Sequence, residues 1–153
     1  MIVNPPAEGR SHATVAGIID FGDFTRSRRV YELAICAGYM MLEKDDIVEV
    51  CAQITKGYVC GYPSGSEGSA KATGVLLSPI ELRAVFPLAL MRICVSICMS
   101  NYNATLQPDN EYILITGQPG WRMLRKVVHE LGGVGECTQR YLARLREFGL
   151  YTE

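Results

Sequence analysis

The chain has 153 residues, of which 48% are hydrophobic and 20% charged, and its formal net charge is −1. This composition excludes a mostly disordered chain, because the apolar residues can offset the entropy lost in ordering about one domain. The balanced charge gives no support for nucleic-acid binding, which requires a basic surface that releases counterions. We therefore expect one folded domain with no nucleic-acid partner.

No segment of the sequence predicts export or membrane insertion. Residues 1–10 lack the basic stretch followed by an apolar stretch that is typical of a signal peptide. The most apolar run, residues 85–99, contains Arg92 and is shorter than the ~20 residues that a membrane span needs. We expect a cytoplasmic protein with no membrane partner.

The six cysteines include no C-x-x-C pair, and the chain has only two histidines. Cys36, Cys94 and Cys98 lie in apolar runs, where a free thiol behaves as a small hydrophobic residue. We expect reduced thiols in the core of an intracellular protein rather than a disulfide framework. His12 and His129 have no cysteine or carboxylate at metal-site spacing, so no zinc site is predicted.

The amino-terminal residues predict a β-hairpin, and helices follow it. Residues 14–19 are β-branched and apolar, as in a buried strand, and residues 1–3 would form the partner strand. Residues 30–42 are apolar nearly all round and predict a helix that is buried on most faces. Two aspartates, Asp45 and Asp46, suit the positive end of a second helix that runs to about residue 59.

The second half of the chain predicts a series of helices after a Gly/Ser-rich loop at residues 62–74. Ser78 and Glu81 form a capping-box pattern with Pro79 at the first helical position. Pro87 is expected to end or kink that short helix. Further helices are predicted at residues 88–102, 111–115, 121–131 and 137–148. The predicted fold is mainly α with a short N-terminal β-hairpin and about six helices.

Residues 17–23, with the sequence GIIDFGD, combine a hydrophobic strand with two acidic side chains. Asp20 follows the strand directly, and Gly22 loosens the turn after it. Carboxylate oxygens are the ligands that Mg²⁺ prefers, and an aspartate in this position can hold the metal that bridges phosphates. A short solvated turn is the alternative interpretation, because three residues such as Asp-Phe-Gly recur by chance.

Several segments together resemble the aminoglycoside phosphotransferase and choline kinase superfamily, which has the protein-kinase-like fold. Within that superfamily the order and spacing are similar to those of the hydroxylysine kinases, over about residues 15–128. The segments that support this resemblance are IIDFGD, RRVYELAI, YMML, NY, LQPDNEY and TGQPGW. The resemblance implies the C-terminal helical lobe of such a kinase, with Mg²⁺ and a nucleoside triphosphate, GTP or ATP, as cofactors.

The resemblance also implies roles for individual residues. Asp20 matches the metal-binding aspartate of the superfamily, and Asp23 would support the metal or its waters. Glu32 would brace the catalytic loop from the start of the next helix. The alternative for Glu32 is a buried acid that is paired with Arg28 or Arg29.

The sequence departs from the superfamily pattern in its catalytic loop. Neither histidine is followed by Gly-Asp, so no residue matches the catalytic base, and the nucleotide-covering loop is missing as well. We therefore expect a partial domain, with residues 1–27 as hairpin and metal-binding loop and residues 28–153 as the helical substrate-binding part. Little or no turnover is expected from the chain alone.

Arg92 lies among apolar residues, where an unpaired guanidinium would be costly. It is a candidate clamp for the carboxylate of an amino-acid or amino-alcohol substrate, because arginine binds carboxylates bidentately. Snorkelling to solvent or an internal partner is the alternative. Tyr39 and Trp121 are candidates for an aromatic pocket that receives a cationic amine, with a place in the core as the alternative.

Two other hypotheses remain open at this point. The chain could be a non-catalytic helical module that self-associates through an apolar face exposed by the missing lobe. It could also be an incomplete gene model of another kinase of this superfamily.

Overall fold

The computed structural model describes residues 2–5, 14–17, 26–61 and 77–152. Within these residues β1 (Ile2–Asn4) pairs antiparallel with β2 (Thr14–Gly17), and Val3 lies opposite Val15. The predicted hairpin is therefore confirmed. The Gly/Ser-rich loop predicted at residues 62–74 lies outside the described residues.

The remainder of the described chain is helical, which confirms a mainly α fold with a short N-terminal hairpin. The helix predicted at residues 111–115 is a short 3-10 helix, Glu111–Leu114. The five α-helices in chain order are α1 (Arg29–Met40), α2 (Ile47–Gly61), α3 (Pro79–Leu106), α4 (Gly117–His129) and α5 (Gly133–Glu147).

Helix α3 lies at the centre of the described core, where it contacts α1, α4, α5 and the 3-10 helix. Its contact with α1 is so close that a Cβ on Gly38 would lie 2.9 Å from the carbonyl oxygen of Ala89. Gly120 on α4 likewise lies close to α3, since a Cβ at this position would be 2.8 Å from Cδ1 of Ile97. Glycine at these two positions lets the helices approach each other closely.

The start of α3 is as predicted, but its end is not. Ser78 Oγ accepts from the Glu81 N–H at 3.3 Å, and the Glu81 carboxylate accepts from the Ser78 N–H at 2.9 Å. Pro87 lies inside α3 without ending it, although proline in a helix interior costs about 3 kcal/mol. The fully buried side chains of Val85 and Phe86 contribute about 1.5–3 kcal/mol each, so burial outweighs the missing hydrogen bond.

Two expectations about burial are wrong. Helix α1 is buried on one face only, and Tyr31, Ile35 and Met40 on its other face are exposed, because no element in the described part of the chain covers them. Four of the six free cysteines are exposed rather than in the core, and only Cys51 and Cys137 are buried. All six are free thiols in this structure. The exposed cysteines are Cys36, Cys60, Cys94 and Cys98.

Helix α3 is also long and apolar enough to cross a membrane by length and composition, with 28 residues and a mean hydropathy of 1.8 in its most apolar window. The prediction that this segment is too short is therefore wrong as to length. Of that window, 39% is buried against the rest of the fold. Core helices of soluble proteins have the same length and composition.

Helices α2 and α5 are joined by two polar contacts. The hydroxyl groups of Thr55 and Tyr141 lie 3.0 Å apart in the core, and Thr55 Oγ1 also donates to the carbonyl oxygen of Cys51 at 2.9 Å. At the surface, Arg144 Nε donates to Glu49 at 2.8 Å and its Nη1 donates to Glu147. A hydroxyl pair in the core and an ion pair at the surface therefore both connect α2 to α5.

Candidate substrate-binding cavity

An open cavity of about 840 Å³ lies where the end of α3, the 3-10 helix and the start of α4 meet. This α3–α4 cavity is within the size range of small-molecule sites in proteins. Its wall combines apolar, aromatic and charged groups. The lining residues are Glu43, Asn101, Tyr112, Leu114, Ile115, Gly117, Gln118, Pro119, Trp121 and Arg122.

Glu43 is fixed in an unusual backbone conformation at the edge of this cavity. It lies in the turn after α1 with φ at 59°, and it is the one non-glycine residue with positive φ among the described residues. A side chain in this left-handed region costs about 1–3 kcal/mol and is often associated with a functional position. The turn is closed by the Lys44 N–H, which donates to the Met41 carbonyl at 3.2 Å.

The carboxylate of Glu43 accepts from Arg122 Nη2 at 2.7 Å, which joins the turn after α1 to helix α4. The two side chains are 64% and 62% exposed. An ion pair this accessible contributes at most about 1 kcal/mol, because water screens it and both side chains lose freedom. The pair can therefore open at little cost.

The same two residues border a second, smaller cavity of about 210 Å³, which also contacts Lys44, Asp45 and Lys126. Lys126 Nζ donates to the carbonyl oxygen of Asp45 at 2.7 Å. This bond ties the chain after Glu43 to α4. Glu43 and Arg122 therefore line both cavities, and the backbone next to Glu43 is hydrogen-bonded to α4.

Of the residues predicted to bind substrate, Trp121 lines the α3–α4 cavity, with 51% of its surface exposed. Arg92 and Tyr39 are not among the lining residues. Arg92 Nη2 donates to Tyr39 Oη at 3.2 Å, with the guanidinium carbon 5.6 Å from the ring centroid. Tyr39 Oη in turn donates to Ser96 Oγ at 3.2 Å. Arg92 thus has an internal partner, which was the alternative interpretation.

Of the three acidic residues predicted from the superfamily resemblance, only Glu32 lies in the part of the chain that the structure describes. Glu32 is exposed on the first turn of α1, so the alternative of a buried acid is wrong. Asp20 and Asp23 lie outside the described residues. Among the residues that the structure describes, no three metal-binding side chains form a cluster. The prediction of a metal site at Asp20 and Asp23 stays a prediction.

Sequence reasoning did not single out Glu43 or Arg122. Glu43 stands in the acidic and basic run EKDD, which is typical of a solvated connection, and Arg122 is 79 positions away. Positive φ at a non-glycine residue leaves no mark in the sequence. The one feature of the sequence that could have indicated this site is the position of Glu43 directly after the apolar residues 30–42.

The curated relatives of this chain are kinases. The chain is 33% identical over 122 residues to hydroxylysine kinase of Mus musculus, a match that covers 79% of this chain and 29% of that protein. It is 30% identical over 128 residues to the Bos taurus protein, covering 83% and 31%. For the Danio rerio protein the identity is 29% over 149 residues, covering 97% and 37%.

These matches confirm the resemblance, and the chain is a homologue of part of the hydroxylysine kinases. It spans about a third of the length of the curated relatives that it matches. No family model matches the chain, and no solved structure matches it.

Proposed function

We propose that this chain forms the helical, substrate-binding part of a small-molecule kinase of the hydroxylysine kinase type. The supporting observation is the similarity to hydroxylysine kinases along 79–97% of the chain. The reaction transfers the γ-phosphoryl group of GTP to the hydroxyl group of 5-hydroxylysine. In this reaction the cavity between α3 and α4 receives the amino-acid substrate.

The donor chemistry of residues 17–23 fits a magnesium ion, because Asp20 and Asp23 offer the hard carboxylate oxygens that Mg²⁺ prefers. We propose that Asp20 holds the ion and that Asp23 supports it. Bound there, Mg²⁺ would supply neutralisation of the phosphate charge. The nucleotide is GTP by the same resemblance, with ATP as the alternative.

The sequence holds no His-Gly-Asp loop and therefore no match to the family's catalytic base. General-base catalysis requires a group within hydrogen-bond reach of the proton that it removes. The proposal is accordingly that the 153 residues bind substrate but show little or no turnover without the remaining kinase segments.

A chimera tests this proposal directly. This chain replaces the matching segment of the Mus musculus hydroxylysine kinase, and phosphoryl transfer from GTP to 5-hydroxylysine is followed with Mg²⁺ present. We expect transfer by the chimera, loss of transfer in its Asp20→Ala variant, and retention in a variant with the exposed residue Glu130 changed to Gln.

Two results would contradict the proposal. A folded chimera without transfer would reject the kinase function. Robust transfer by the isolated chain, lost on Asp20→Ala, would reject the claim that it needs the remaining segments.

A second candidate function, a non-catalytic module that self-associates, is favoured by one surface. Exposed apolar residues follow one side of α3, and we call them the outer face of α3. This face is uncovered in the part of the chain that the structure describes, and such patches often mark an interaction site. Its members are Met91, Val95, Met99, Tyr102 and Leu106, each 46–62% exposed.

A further inference from the structure

We propose that Glu43 and Arg122 form a recognition site for the α-ammonium and α-carboxylate groups of a free amino acid. Glu43 would bind the ammonium group, and Arg122 would bind the carboxylate. The inference rests on the proposed function, because it specifies how the substrate-binding part would hold its substrate.

The first argument is charge complementarity. At neutral pH an α-amino acid has a positive ammonium group and a negative carboxylate group, both attached to the same carbon atom. Its complement is one carboxylate and one guanidinium side by side, and Glu43 and Arg122 meet this condition at 2.7 Å. The planar guanidinium is suited to bidentate binding of a carboxylate. A ligand head group can replace one accessible ion pair by two.

The second argument is the position of this pair compared with other ion pairs. Arg144, for example, forms ion pairs with both Glu49 and Glu147. That cluster has two carboxylates for one guanidinium, and none of its members lines either of the cavities described above. The Glu43–Arg122 pair is balanced in charge, and both of its members border the α3–α4 cavity.

The third argument is preorganisation. The left-handed backbone of Glu43 and the bond from Lys126 to the Asp45 carbonyl hold the turn from which the Glu43 side chain extends, and Arg122 holds its carboxylate at 2.7 Å. Arg122 is anchored by its place on α4. A site whose groups are already held in position loses less entropy when the ligand binds.

The fourth argument is the space beyond the pair. A cavity of about 840 Å³ leaves room for a long side chain after the head group is bound. Tyr112 and Trp121 line that space, and aromatic faces attract ammonium groups. A lysine-like amino acid therefore fits the cavity better than a short one.

The test uses the complete chain and its single tryptophan. Because Trp121 lines the cavity, its fluorescence reports occupancy. The chain is titrated with L-norleucine, with pentylamine, which lacks the carboxylate, and with hexanoate, which lacks the amine. We expect a saturable change with norleucine and affinities at least about tenfold weaker for the other two, since each loses a charge-assisted contact. L-lysine is expected to bind more tightly than norleucine.

Matched variants assign the effect to the pair. Glu43→Gln and Arg122→Gln should each weaken norleucine binding by at least about tenfold. Glu130→Gln and Arg125→Gln remove the same charges from exposed positions that line neither cavity, and these variants should bind like the wild-type chain. Circular dichroism checks folding, and Glu43→Asn, which tolerates positive φ, replaces Glu43→Gln if the latter does not fold.

The inference is overturned if pentylamine or hexanoate binds as well as norleucine, or if the variants of the pair bind like the controls. It is also overturned if no amino acid binds at millimolar concentration. None of these results decides the kinase proposal, which depends on phosphoryl transfer by the chimera. Amino-acid binding together with an inactive chimera would support the recognition site and reject the kinase.

Discussion

At the scale of single residues, Glu43 combines a strained backbone with an exposed ion pair. The substitutions Glu43→Ala and Glu43→Gly both remove the carboxylate, but only glycine adopts positive φ without a Cβ clash. We predict that the glycine variant is more stable than the alanine variant by about 1 kcal/mol. Urea unfolding of the two variants measures this difference. Equal stabilities would show that φ at this position is not strained.

The buried hydroxyl groups of Thr55 and Tyr141 make a second residue-scale prediction possible. Burial raises the pKa of Tyr141 far above its usual range, so the phenol stays protonated. In Tyr141→Phe, Thr55 keeps its bond to the Cys51 carbonyl, and the expected cost is about 1 kcal/mol. In Thr55→Val, the phenol is left buried without its partner, and the expected cost is about 1–3 kcal/mol.

A double-mutant cycle in urea checks this order. The double variant should cost less than the sum of the single changes, because it leaves no unpaired hydroxyl group. A larger loss in Tyr141→Phe than in Thr55→Val would contradict the assignment.

At the scale of elements, the packing of α1 on α3 depends on Gly38. Alanine is a better helix former by about 1 kcal/mol, but its Cβ would lie 2.9 Å from the backbone oxygen of Ala89. Backbone cannot move aside easily, so we predict that Gly38→Ala destabilises the chain by about 1–3 kcal/mol. Gly57→Ala on α2 is the matched control, because nothing lies within 4 Å of its added Cβ.

The control should be neutral or stabilising by up to about 1 kcal/mol. Thermal or urea unfolding compares the two variants. If both glycine substitutions changed stability in the same direction, the close approach of α1 and α3 would not be a packing constraint.

The contact between α2 and α5 predicts a pH dependence. Hydrogen bonds from Arg144 and then from Gln53 hold the pKa of Glu49 below its ordinary value of 4.5. A carboxyl whose pKa is lowered by folding stabilises the fold above its unfolded pKa and loses this contribution as the pH falls through its folded pKa. We predict that Glu49→Gln lowers stability at neutral pH and that its difference from the wild-type chain shrinks below pH 4.5.

Urea midpoints between neutral and acidic pH measure this difference, with Glu130→Gln as the exposed control. A difference that stays constant across the range would contradict the contribution of the Glu49–Arg144 pair.

Elements defined by local signals could be predicted from the sequence, and elements that depend on packing could not. The capping box at Ser78 marks the start of α3, and Gly149, with φ at 71°, lies just past the end of α5. The continuous helix through Pro87 and the early start of α5 at Gly133 depend on what surrounds them. In the cavity, Trp121 could be predicted from its aromatic side chain as a lining residue. The Glu43–Arg122 contact could not be predicted, because it forms only when the end of α1 and α4 are brought together.

At the scale of the whole molecule, the outer face of α3 predicts self-association. We expect the wild-type chain to associate at high concentration in size-exclusion chromatography with reductant present. Val95→Glu with Met99→Glu should elute as a monomer, because like charges would face each other across the interface. Both side chains are exposed, so the fold should be kept.

The control pair Gln139→Glu with Ala143→Glu adds the same charges at the same spacing on α5, where both residues are exposed. It should associate like the wild-type chain. A wild-type chain that is monomeric at all concentrations would contradict the prediction.

The exposed and buried thiols of this molecule should differ in their rates of alkylation. Cys94 and Cys98 are exposed one turn apart on α3, while burial raises the pKa of the Cys51 thiol and keeps it unreactive. An alkylating reagent applied to the native chain therefore spares the two buried thiols and labels four exposed ones, of which Cys94 and Cys98 report on the outside of α3. The labelling rate at these two sulfur atoms would record, without any mutation, when another copy or a larger polypeptide covers that side.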